Sequence, residues 1–172
     1  MAMNIEPLTA QTLSDKDYQT ISSYIETNVG IKMPESKRVM IQSRLIPRLR
    51  QLKIGTFKEY LDYVFSSRDG NQELIFMINA LTTNKTDFFR EADHFSFLTS
   101  KVLPTLSKDG KKSIKLWSAG CSSGEEPYTI AIVLKEFIRT NPGVLTSFSV
   151  KGTDISTKVL DKALHAVYDE TT

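Results

Sequence analysis

The chain has 172 residues, 40% apolar and 24% charged, with a formal net charge of +2, one cysteine and two histidines. This is the make-up of a globular protein holding one ordinary domain or two small ones; it excludes a disordered chain and an internal disulfide framework and argues against a structural zinc site. No apolar run approaches the roughly 20 residues that span a bilayer, residues 1–20 lack a signal-peptide core, and the charge is too small to argue for nucleic acid. A cytoplasmic protein with no membrane insertion and no nucleic-acid partner is expected.

Residues 1–83 read as helices punctuated by stops. Tyr18, Ile21, Ile25 and Val29 recur at helical spacing over 15–29, and Gly30 follows as the terminating residue. A second helix is predicted from Pro34, tolerated in a first turn, to about Ile54. Pro47 falls inside it, lacks a backbone N–H and crowds the preceding turn, so a kink or break is expected there. Thr56 and Glu59 have the spacing of a capping box for a third helix ending near Ser67, and a fourth runs from about Gln72 to Leu81. With no alternating strand pattern, this half is a small helical bundle.

From residue 84 the pattern changes. A helix over 93–106 presents Phe95, Leu98, Val102 and Leu103 on one face, and a polar turn leads into a short strand, 114–117, with Trp117 in the strand core. A helix over 125–139, a turn at 141–143 and a second strand over 148–152 follow; Asp154 ends that strand, and Ser156 caps a helix reaching about Val167. Strand, helix, strand, helix is a right-handed βαβα unit, the opening of a doubly wound sheet. The predicted fold class is therefore α/β with an all-α N-terminal domain (1–83) and a Rossmann-like domain (84–172). Two strands do not close such a sheet, so the second domain reads as truncated after two βα units. An open strand edge invites pairing, and a paired or swapped dimer is one way to cover it.

The loop between the first strand and its helix, Ser118 to Gly124, carries the chemistry. Ligands of open α/β sheets bind beyond the carboxyl ends of the strands, where this loop and Asp154 both lie. The loop has neither GxGxxG nor GK[ST], Glu125 and Glu126 occupy the positive end of the following helix, and no Lys or Arg lies between Lys115 and Lys135. A pyrophosphate would be repelled. A cationic ligand such as S-adenosylmethionine is favoured, with Asp154 placed to take two ribose hydroxyls. A plain turn with two dipole-complementing glutamates stays open as the alternative, as does a capped linker for the junction segment Leu81 to Arg90.

Three stretches, LTTNKTDFFREADHF, LWSAGCSSGEEPYTIAI and GTDISTKVLDKA, resemble in order and spacing the signatures of the chemotaxis receptor methyltransferases, the CheR family. The resemblance spans nearly the whole chain. It implies S-adenosylmethionine as methyl donor, with S-adenosylhomocysteine as product, and glutamates on the cytoplasmic methylation helices of chemoreceptors as acceptors. Asn84, Thr86 and Arg90 then fall among cofactor or active-site contacts, and Glu126 on the acid facing the methionine end. Asp154 falls on the ribose acid, Ala119 and Gly120 on the pocket backbone, and Ile155 beside the adenine. The resemblance also implies that family members continue for roughly another hundred residues and are monomeric.

Arg90 is expected to orient the acceptor carboxylate, a planar guanidinium giving a two-point grip. Residues 32–53 set Lys32, Lys37, Arg38, Arg44, Arg48, Arg50 and Lys53 against one acid, Glu35. Arg44 and Arg48 share a helix face with Lys37 near it, a basic surface suited to an acidic receptor segment; a merely solvated face is the alternative. Cys121, His94 and His165 are expected to be incidental or packing residues, and Tyr128 structural. A non-catalytic receptor- or regulator-binding fragment and a methyltransferase with a different acceptor remain as other functions.

Overall fold

The computed structural model describes residues 12–66 and 70–169, in two compact units, the first ending at Thr82 and the second beginning at Thr83. Part of the N-terminal stretch read above, residues 1–11, lies outside the described residues, as does Ser67, the expected end of the third helix.

The first unit is all helical. Helix α1, Asp15–Val29, is capped by Ser14, whose Oγ accepts from the Asp17 N–H at 3.2 Å, and it stops at Gly30 in the left-handed region. A short 3-10 turn, Glu35–Lys37, leads into α2, Arg38–Leu52. Of the kink or break expected at Pro47, the break does not occur: α2 runs through it unbroken. Pro47 lies on the exposed side, where water can take the carbonyl that a proline leaves unpaired. Helix α3, Phe57–Ser66, opens on the reciprocal box, Thr56 Oγ1 accepting from Glu59 N at 3.2 Å and Glu59 Oε2 from Thr56 N at 3.0 Å. Helix α4 spans Gly70–Leu81. Their apolar faces meet in a core where Ile21, Ile25, Ile41, Leu45, Leu49, Tyr60, Met77 and Leu81 are buried.

One ionic group is sealed into that core. Glu73 is buried and accepts from Tyr60 Oη at 2.9 Å and from Arg48 at Nε (2.8 and 3.0 Å) and Nη2 (2.6 Å). The Arg48 guanidinium also lies over the Phe76 ring, 4.1 Å from its centroid. Burial and the Glu73 charge push the Tyr60 hydroxyl far above its ordinary range, so it stays a donor.

The second unit opens with a helix in three parts: α5, Ala92–Phe97, a π turn over Leu98–Val102, and α6, Leu103–Lys108. The π turn ends two residues before Pro104, which cannot donate to the turn behind it. Strand β1, Ser113–Ala119, and strand β2, Ser147–Thr153, pair in parallel from Ser113↔Ser147 to Ala119↔Thr153, with α7, Glu125–Thr140, between them in sequence and α8, Thr157–His165, after β2. Leu103, Ile130, Leu134, Phe137 and Leu145 form the core, packed by Ile114, Leu116, Phe148 and Val150 from one face of the sheet. This alternation corrects the expectation for Trp117. It falls on the other face, is 68% exposed, and donates Nε1–H to Thr153 Oγ1 at 2.9 Å.

Ser156 also departs from expectation. It holds the N-cap position of α8 but its side chain makes no cap bond; the Asp154 carboxylate takes the Ser156 N–H instead, at 2.8 Å. The helix stops at His165, two residues short of Val167, with Ala166 left-handed. Tyr128 is structural, its hydroxyl donating to the Ala163 carbonyl at 3.0 Å, while His94 and His165 are exposed. Among the described residues no group of three or more His, Cys, Asp or Glu could hold a metal, and no helix is long and apolar enough to cross a membrane.

Candidate functional site

The loop leaving β1 is small-residued because it must turn sharply and be tied down by its own backbone. Gly120 (φ +84) and Gly124 (φ +104) take conformations that L side chains rarely adopt. The Gly120 and Cys121 N–H groups both donate to the Thr153 carbonyl, at 2.7 and 2.9 Å, so the loop folds across the end of β2. Ser122 is left-handed too (φ 48), and its N–H donates to Asp154 Oδ2 at 2.8 Å while its Oγ donates to the Asn84 carbonyl at 2.8 Å. This serine thus joins three predicted segments: the junction, the loop and the acid after β2.

The two glutamates that open α7 diverge. Glu125 is 5% exposed and accepts from Ser123 Oγ at 3.0 and 2.8 Å. Glu126 is exposed, and its Oε1 accepts from the buried Ser118 Oγ at the carboxyl end of β1, at 2.6 Å. Only Glu126 is therefore presented where a ligand of the sheet would lie. Each Asp154 oxygen accepts one backbone N–H, Oδ2 from Ser122 and Oδ1 from Ser156, and keeps a lone pair for a ligand hydroxyl.

In the junction, Phe89 and Glu91 have φ of 55° and 56°, backbone strain of the kind that needs external support. Part of that support is the Phe89 N–H bond to Thr129 Oγ1 at 3.2 Å, Thr129 being buried and donating in turn to the Glu125 carbonyl at 2.6 Å. Phe88 is half-buried and Phe89 exposed. Arg90 is exposed, and its Nη1 donates to the Lys85 carbonyl at 2.8 Å, so it is held within its own loop. Asn84 and Thr86 are half-buried; Ala119 and Ile155 are exposed, Ile155 by 47%. Cys121 is buried beside Gly152, and burial together with the Asp154 charge pushes its thiol pKa up, which suits packing and not nucleophilic chemistry.

These residues fit S-adenosylmethionine by the chemistry of the donor set. Glu126 and Asp154 supply two carboxylates, and the loop 118–124 carries no cation. A Cβ placed on Gly120 would meet nothing within 4 Å, so the backbone there is open to close approach. The exposed Ala119 and Ile155 offer small and apolar surface.

In the first unit, Arg44 and Arg48 do share a face, but both are engaged in the fold. Arg44 Nη1 donates to the Ala80 and Thr82 carbonyls at 3.3 and 2.9 Å, and Arg48 is paired with Glu73. Lys37 donates to the Lys32 carbonyl at 3.0 Å and is half-buried. Sequence reasoning missed Ser122 and Thr129, small polar residues whose spacing gives no signal.

Comparison with known proteins now assigns both units. Residues 16–82 match the CheR methyltransferase all-alpha domain and residues 84–172 the CheR methyltransferase SAM binding domain, which makes S-adenosylmethionine the cofactor of the second unit. A chemotaxis protein methyltransferase of Vibrio parahaemolyticus is 39% identical over 163 residues, covering 94% of this chain and 58% of that protein. One from Borreliella burgdorferi is 43% identical over 152 residues, 85% of this chain and 52% of that protein, and one from Escherichia coli is 39% identical over 156 residues, 91% and 51%. The chain thus spans about half the length of these relatives. On the matches of both domains, it belongs to the CheR methyltransferase family.

Proposed function

We propose that this protein is a cytoplasmic protein-glutamate O-methyltransferase that modifies glutamates on the methylation helices of chemoreceptors. The observation carrying the donor half of this reading is the placement of Glu126 and Asp154 at the carboxyl ends of two parallel strands, around an open Gly120 and a cation-free loop. When bound, S-adenosylmethionine supplies a methyl group already activated on a sulfonium. The residues of the chain have to bind and orient. Asp154 takes the ribose hydroxyls, Glu126 the amino end, the Ala119 and Gly120 backbone and Ile155 the remaining faces, and Asn84 and Thr86 close the junction side.

An acceptor glutamate, with an unperturbed pKa of about 4.3, is ionised at neutral pH and needs no general base. Positioning at near-attack distance is what remains, and Arg90, an exposed guanidinium tethered at one nitrogen, orients the acceptor carboxylate. The methylated product should release its methyl group under mild base, as a glutamyl ester does. Arg90→Ala in the full-length protein should lower turnover by at least about tenfold, the loss of one charged orienting contact, with native circular dichroism. A base-stable methyl would point to a different acceptor, and near-normal turnover of the variant would remove Arg90 from the site.

Receptor docking falls to the basic segment 32–53, which holds α2 and the turn before it. Arg48 is neutralised by Glu73, so the charge offered to an acidic partner comes from the remaining basic residues, among them Lys37 and Arg44, whose carbonyl partners leave their charge intact. Binding to a receptor cytoplasmic segment should weaken steeply with added salt and be weakened further by Lys37→Glu. Indifference to both would favour a solvated face. Because the chain spans about half of its relatives, binding to a receptor or regulator without turnover is the competing role, and cofactor titration separates the two.

A further inference from the structure

Tyr168 lies beyond α8, after Ala166 has turned the chain in a left-handed conformation (φ 51) that a non-glycine residue holds only when its surroundings fix it. What fixes it is a set of contacts converging on the donor loop. The Tyr168 hydroxyl donates to the Ser123 carbonyl at 2.7 Å. Its ring stands edge-on to Phe88, centroids 4.9 Å apart at 87°, and to Tyr128, 5.9 Å at 69°. One side chain thereby touches the junction, the loop and the first turn of α7.

We propose that Tyr168 is a positioning residue of the donor site, holding Ser123 and Phe88 so that the loop 120–124 and the junction keep the geometry the cofactor meets; this rests on the donor-site reading above. Besides the Ser122 bond to the Asn84 carbonyl, the loop is held from two sides. On one side, Gly120, Cys121 and Ser122 are held by the Thr153 carbonyl and by Asp154. On the other, the Ser123 carbonyl is held by Tyr168. Asp154 is itself assigned to the ligand, whereas the Thr153 carbonyl and Tyr168 hold the loop independently of it, Thr153 at Gly120 and Cys121 and Tyr168 at Ser123.

Gly124 shows how closely the ring is fitted. A Cβ there would stand 2.5 Å from the Tyr168 hydroxyl, 3.0 Å from the Tyr128 ring and 3.1 Å from the Ala163 Cβ. Burial and the nearby Glu125 charge push the Tyr168 hydroxyl up to about 12, so it remains protonated, and a donor, at neutral pH.

The test is Tyr168→Phe, which keeps the ring and removes one hydrogen bond. S-adenosylhomocysteine affinity is measured by calorimetry, and amide exchange at Ser122 and Gly124 by NMR on the ligand-free chain. Phe137→Leu, a substitution in the core of the same unit, serves as a stability control. Tyr168→Phe is expected to weaken binding about five- to tenfold, the share of one net hydrogen bond, and to speed exchange at Gly124, while Phe137→Leu leaves affinity within about twofold. Wild-type affinity in Tyr168→Phe, or a loss no larger than that of the control, overturns the proposal. A wild-type chain that does not bind overturns the donor-site reading instead; the loop mooring is then decided by exchange at Gly124, faster in support and unchanged against.

Discussion

Arg48 shows how a residue can satisfy a sequence argument and still serve another end. It shares a helix face with Arg44, as the four-residue spacing requires, yet its guanidinium is consumed by a carboxylate inside the bundle. Glu73 is 2% exposed, so removing Arg48 strands a buried charge whose remaining partner among the described residues is the Tyr60 hydroxyl. Arg48→Ala should destabilise the first unit by about 3–5 kcal/mol, the cost of breaking a buried pair, read as a shift in the urea midpoint. A loss under about 1 kcal/mol, the range of exposed pairs, would mean that Glu73 is solvated. With the larger loss, any receptor-binding defect of that variant would be confounded by unfolding, which is why Lys37 is the better probe of docking. Glu125 and Glu126 make the same point in reverse. Adjacent in sequence and equal in charge, they separate into a buried acid tied to Ser123 and an exposed one at the end of β1.

At the scale of elements, the parts legible in sequence were those with local causes. The Thr56–Glu59 box, the Gly30 stop and the apolar spacing of α1 are set by neighbours within a few residues, and they form as read. The two strands and the helix between them follow from the switch between periods of two and 3.6. What failed depended on which side of an element meets the core. Trp117 belongs to the sheet face turned away from α7, a fact its apolar character conceals. Pro47 was judged by its missing donor, but on an exposed side water replaces the bond. The role of Ser122 was invisible for a different reason. Its partners lie 38 and 32 residues away in Asn84 and Asp154, and no spacing rule reaches that far. Glu126 and Asp154 were candidates readable from charge alone, while Asn84, Thr86, Arg90, Ala119, Gly120 and Ile155 rested on the family resemblance. The residues that hold them in place were singled out by neither.

For the whole molecule, the chain is built as two compact units. The helical unit has a core of its own and a basic helix whose charge is partly committed to that core; the second unit gathers the loop, the strand-end acid and the junction through one serine. The central claim is that the residues of this chain form a working donor site, and calorimetric titration with S-adenosylhomocysteine tests it most directly. The wild-type chain should bind saturably, and Asp154→Ala, which removes both a ligand acceptor and the anchor of the Ser122 and Ser156 N–H groups, should weaken binding by at least about tenfold, a hydrogen bond to a charged group being at stake. No binding by the folded wild-type chain, or equal affinity in the two proteins, would contradict it.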